Sequence, residues 1–217
     1  MRNIVRFAQL ALVPGFALMT GGIAPAAMAK DGDHHNAHLR GAYAFTTART
    51  CTVIQAPGNP FGPPPFAIPS PLPPGAGLFR QSTTDAGITT FNGDGTATST
   101  GRSRTMNINA AGGAPVSVSE FTSAINYTVN PDGTVDTETS SAFTIVFPSV
   151  PTPTTGTVTN QTGRLQITRR KNILVSAPSE DPTVETVVLT PAPPGIPFTQ
   201  SRICVRSTIL TKLPNDD

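Results

Sequence analysis

The chain has 217 residues and a nearly even charge, with 15 basic against 13 acidic side chains and only 13% of its residues charged. Its 23 prolines, with many threonines, serines and glycines, exclude a helical bundle. Proline breaks the helical hydrogen-bond ladder, and β-branched residues favour strands. The charge balance gives no electrostatic basis for a nucleic-acid partner or an anionic membrane surface.

Arg2 and Arg6 head an apolar stretch from Phe7 to Leu18, and small residues lead to Ala27-Met28-Ala29. A basic head, a short apolar core and an A-x-A site predict a signal peptide over residues 1–29, cleaved after Ala29. Pro14 and Gly15 interrupt the apolar run, which is too short to span a bilayer. The expected destination is the periplasm or the medium. The two arginines leave with the leader, so the remainder carries equal numbers of acids and bases.

Residues 30–38 read as a mobile polar arm holding all three histidines, His34, His35 and His38. With Asp31 and Asp33 they could bind a transition metal only weakly, and no metal or cofactor is assigned. A domain is expected over 39–214. Its first strand runs from Arg40 to Ile54, with Tyr43, Phe45, Arg49 and Cys51 in one phase and small residues in the other. A proline-rich insert, 56–76, then favours extended chain over a ladder strand. It is expected to form a stiff cover whose Phe61, Phe66, Ile68 and Leu72 need a surface to pack on.

Further strands are predicted at 78–91, 96–108, 116–129 and 134–147. Shorter ones follow at 157–160, 164–169, 173–177 and 184–189, and a last strand at 198–213. The tetrads Asn92-Gly93-Asp94-Gly95 and Asn130-Pro131-Asp132-Gly133 resemble fragments of a calcium loop. Neither continues with further ligands, so both are read as hairpin turns.

Eight to ten antiparallel strands leave two all-β architectures, a sandwich or an up-and-down barrel. Cys51 and Cys204 are the only cysteines, and in an exported chain they are expected to pair. A disulfide needs its Cα atoms within about 7 Å, so first and last strands must lie close, which favours the barrel. In the chain-entropy description such a link restricts the unfolded state by about 4 to 5 kcal/mol.

Catalytic signals are weak, and the enzyme question leans to no. No histidine lies beyond residue 38 to serve a Ser-His-Asp or Cys-His site, and a disulfide removes both thiols. Glu120, Asp136, Glu138 and Glu185 fall on predicted strands in contexts that read as outward-facing. Arg49, Arg202 and Arg206 share phases with the cysteines. If that face is lumenal they converge and can hold a carboxylate or phosphate.

Gly41-Ala42-Tyr43 in the first strand, with Arg202 or Arg206 in the last, resembles the calycin and lipocalin barrels. There a Gly-x-Trp packs against a late arginine at the closed end, and Tyr43 stands in the tryptophan position. The G-x-Y-x-F start and the Arg202-Ile203-Cys204-Val205-Arg206 end also resemble small uncharacterised exported proteobacterial proteins. That resemblance implies fold and compartment only.

The expected function is a non-enzymatic exported barrel that binds a small, partly apolar ligand, anionic if the arginine face is lumenal. Tyr43, Phe45, Phe121 and Tyr127 would line the site, with Arg49, Arg202 and Arg206 as polar anchors. The competing expectation is a structural or interaction module of the envelope with a filled barrel. Membrane insertion is not expected, because tryptophan is absent and only two tyrosines are present.

Overall fold

The computed structural model describes residues 33–56, 61, 68, 71–72, 74, 76–108, 116–147, 153–168, 172–177, 183–191 and 196–214. The expected leader lies outside them, as do residues 30–32 of the arm and much of the proline-rich insert, including Phe66. Among the described residues one helical turn, α1 (Asp33–Asn36), precedes nine strands. These are β1 (Arg40–Gln55), β2 (Gly77–Asn92), β3 (Thr96–Ile108), β4 (Val116–Val129), β5 (Thr134–Phe147), β6 (Thr155–Ile167), β7 (Ile173–Ser176), β8 (Val184–Thr190) and β9 (Phe198–Lys212).

Every strand pair is antiparallel, and β9 returns to pair with β1 along most of its length. β7 and β8 share one position between β6 and β9. β7 binds both neighbours near Leu165 and Leu210, and β8 binds them near Thr157 and Ser201. The result is a closed up-and-down barrel, not a sandwich. Cys51 faces Cys204 directly across the β1–β9 seam, with a Cα–Cα distance of 4.1 Å.

Strand β6 corrects the sequence reading, which expected two pieces at 157–160 and 164–169. One strand runs through. Asn160 takes φ 60°, and the β5–β6 register shifts between Thr139 and Ser141. This bulge inverts the side-chain phase without ending the ladder, so Val158 and Gln161 both face inward.

The arm also needs correction where it is described. Asn36 is buried, and its Oδ1 accepts a hydrogen bond of 2.8 Å from the Val129 amide. Leu39 is wholly buried and plugs this end of the barrel with Tyr43, Phe91, Tyr127, Leu174 and Leu210. Phe91 lies edge-on to both tyrosines, with ring centroids 5.3 Å from Tyr43 and 5.1 Å from Tyr127. The Tyr127 hydroxyl donates to the Leu39 carbonyl at 3.0 Å and accepts from the Gly93 amide at 3.1 Å. Polar residues that look solvated in sequence therefore close a barrel mouth, because their hydrogen-bond partners come from strands ~90 residues away.

The two tetrads are twin turns at the plugged end. Asp94 accepts from the Thr96 amide and hydroxyl at 2.8 and 2.7 Å, and Asp132 accepts from those of Thr134 at 2.9 and 2.7 Å. Gly95 and Gly133 have φ of 94° and 82°, the left-handed region in which a Cβ is strained.

The outer wall carries many threonines, alanines and serines, with exposed apolar side chains such as Ile88, Val205 and Ile209 among them. Over β1, β8 and β9 it is covered: Ile54, Ala56 and Phe61 form a buried cluster with Leu72, Ala76, Val184 and Ile203. The insert thus packs on the outside of the barrel through Phe61 and Leu72. Ile68 stays exposed.

A candidate ligand cavity in the barrel

Above the plug the lumen contains a cavity of about 600 Å³. One row across the sheet reads Phe45, Gly87, Gly101, Phe121, Phe143 and Gly156, each opposite the next. The glycines leave floor space for the rings. Phe45 and Phe121 meet over Gly87 and Gly101 with centroids 6.2 Å apart, and Phe143 covers Gly156. All three phenylalanine rings line the cavity and are half-buried.

The wall formed by β2, β3 and β4 is rich in hydroxyls. Residues directly opposite in register pair as rungs: Thr89 with Ser99 at 2.6 Å, Thr83 with Thr105 at 3.2 Å and Gln81 with Asn107 at 2.9 Å. Ser123 bonds Ser141 at 2.8 Å, and Ser141 donates to Gln161 at 2.9 Å. On β5, β6 and β8 the apolar Phe143, Ile145, Val158, Val187 and Leu189 line the cavity among Thr137, Thr139, Ser141, Gln161 and Glu185.

Arg49, Arg202 and Arg206 converge on the cavity beside the disulfide. Each meets an acid. Arg49 Nε lies 3.3 Å from Asp85 Oδ2 but off the hydrogen-bond axis, and its Nη2 donates weakly to Oδ1 at 3.4 Å. Ser103 also donates to Asp85. Arg202 Nε donates to Glu185 Oε2 at 2.7 Å, and its Nη1 donates to Gln81 Oε1 at 3.0 Å. Arg206 pairs with the other Glu185 oxygen and reaches the Thr162 carbonyl at 3.3 Å.

Glu185, expected on the outward face, is therefore 1% exposed inside the barrel. Flanking valines in both phases hid its direction: Val184 packs under the proline insert while Val187 lines the lumen. Asp85, Gln81 and Gln161 were not singled out in the sequence. Three inward arginines need counter-charges, and inward-phase acids were the available signal.

The cluster holds three guanidinium groups against two carboxylates. Burial, reinforced by the charge of Arg49, lowers the Arg202 pKa well below its usual value. The same causes push Arg206 down to about 10. Arg202 is 6% exposed, and its Nη2 has no hydrogen-bond partner among the described residues.

The remaining expected site residues separate into two groups. Phe45 and Phe121 line the cavity. Tyr43 and Tyr127 belong to the plug beneath it, where burial raises both phenol pKa values. The calycin-like pairing of Tyr43 with a late arginine does not form, because register places Lys212 opposite Tyr43 and Arg206 opposite Arg49.

No family model and no curated protein matches the chain. Among solved structures, the crystal structure of Neisserial surface protein A (NspA) aligns at a TM-score of 0.45 and 10% identity. That alignment covers 79% of this chain and 97% of that one.

Proposed function

We propose that this protein is an exported, non-enzymatic β-barrel that holds a small, partly apolar ligand in its lumen. The carrying observation is the cavity of about 600 Å³ lined by phenylalanine rings on a background of hydroxyls. Its volume falls in the range of about 300–1,000 Å³ typical of small-molecule sites. Phe45 and Phe121 supply the apolar contact, and the arginine cluster supplies the polar end.

Export is supported by the leader-like residues 1–29 and by the disulfide, which persists in oxidising compartments. A water-facing outer wall is supported by its threonine-rich surface and by the Arg102–Glu120 pair. That pair spans 2.6 Å with side chains 70% and 53% exposed in the middle of β3 and β4. A charged pair there is costly against lipid, which speaks against insertion.

Native mass spectrometry of the full exported chain tests the proposal. A stoichiometric small molecule lost on denaturation is expected. Repeated preparations without one, together with exclusion of small apolar probes from the lumen, would sink it.

A further inference from the structure

We infer that the ligand is an organic carboxylic acid carrying a single negative charge, with its carboxylate seated against Arg202 and its body on the phenylalanine shelf. This deepens the cavity reading and rests on it. Among the described residues the cluster sums to one unmatched positive charge, Arg49, Arg202 and Arg206 against Asp85 and Glu185. Burying an unmatched charge is expensive unless something compensates it.

Geometry names the seat. Arg202 lines the cavity; its Nε and Nη1 are committed to Glu185 and Gln81, while its Nη2, like Nε of Arg49, is buried without a partner among the described residues. Arg49 and Arg206 stand opposite one another in register and add their field to the same region. The depressed basicity of Arg206 and Arg202 fits a cluster in need of an anion. A single carboxylate closes the charge balance, whereas a dianionic phosphate would overshoot it. An inorganic ion would leave the adjoining space empty. The rings of Phe45, Phe121 and Phe143, with Val158, Val187 and Leu189 among the lining hydroxyls, suit an organic body that carries polar groups.

The test compares 1-pyrenebutyrate with its neutral isostere 1-pyrenebutyramide, titrated by fluorescence into the full exported protein with its disulfide intact. The acid is expected to bind at least about tenfold more tightly, the scale of one charge-assisted hydrogen bond. Arg202→Gln should erase that gap and leave the amide unchanged. Asp85→Asn, which adds one unmatched positive charge, should widen it. Equal binding of acid and amide by the wild type overturns the carboxylate assignment and leaves the cavity reading standing. Exclusion of both probes overturns the two together. A gap that survives Arg202→Gln removes Arg202 as the seat. Heat protection by chloride equal to that by the acid overturns an organic ligand. If Arg202→Gln does not fold, the wild-type comparison and Asp85→Asn still decide.

Discussion

Glu185 on β8 stands directly across the ladder from Arg202 on β9, and its other oxygen reaches Arg206, so one buried carboxylate holds two guanidinium groups. Replacing it with alanine strands both charges in the lumen. The expected loss is about 3–5 kcal/mol, the usual cost of breaking a buried pair from one side. Glu185→Gln, which keeps an acceptor, should lose less. Urea denaturation of the oxidised protein measures both, and a loss below about 1 kcal/mol for the alanine variant contradicts the burial.

The seam disulfide has a separable effect. Cys51 and Cys204 are 153 residues apart, and the pair joins first strand to last. A Cys51→Ser, Cys204→Ser double variant should lose up to about 5 kcal/mol through freedom regained by the unfolded chain. Equilibrium denaturation measures it. An unchanged midpoint would show that backbone pairing across the seam is sufficient alone.

The glycine row makes a steric prediction. A Cβ on Gly101 would run into the Ala86 carbonyl and lie 3.0 Å from the Phe121 ring. Gly101→Ala should therefore destabilise the barrel by about 1–3 kcal/mol, the cost of overpacking. Gly77→Ala meets only the Gln55 Cβ at 3.9 Å and is the matched control, expected to be near neutral. Thermal melts of the two variants give the comparison.

The plug is tested at Asn36. Asn36→Ala leaves the buried Val129 amide without its acceptor, at a cost of about 1–3 kcal/mol. Hydrogen exchange at Val129 should accelerate with it. Unchanged exchange would mean that α1 does not hold this end closed.

Acid should weaken the twin turns. The carboxyls of Asp94, Asp132 and Asp136 lie below their usual value of 3.8. The Thr96 hydroxyl holds the first down, the Thr134 amide the second, and the Arg164 hydrogen bond the third against opposing burial. Ionised acids are favoured in the fold, so their contribution is complete above the unfolded value and disappears as pH falls through the lower folded values. Between about pH 4 and pH 2 the melting temperature of an Asp94→Asn, Asp132→Asn variant should fall less steeply than that of the wild type.

Much of this was legible one residue at a time. Strands β3, β4 and β5 end where the turn tetrads and loop residues said they would, since Gly95 and Gly133 sit where only glycine is comfortable. That Arg49, Arg202 and Arg206 share the face of the two cysteines followed from strand phase, but the sequence left open whether that face is lumenal, and the cavity lining answers it. β6 was misread because a bulge at Asn160 inverts the alternation on which strand reading depends. Glu185 was misread because the proline insert buries the outer face of β8 as well, which erases the contrast between the phases.

The sequence by itself determined the all-β class, the hairpin turns and the pairing of Cys51 with Cys204. These rest on local backbone preference and on a count of two thiols. Only the tertiary structure decided which face of each strand is lumenal, that α1 and Leu39 plug one mouth, and that Asp85 and Glu185 stand against three guanidinium groups. Phase in a threonine-rich strand is ambiguous when polar residues occupy both sides. It is settled only when closure brings distant strands into register and assigns each buried charge its partner.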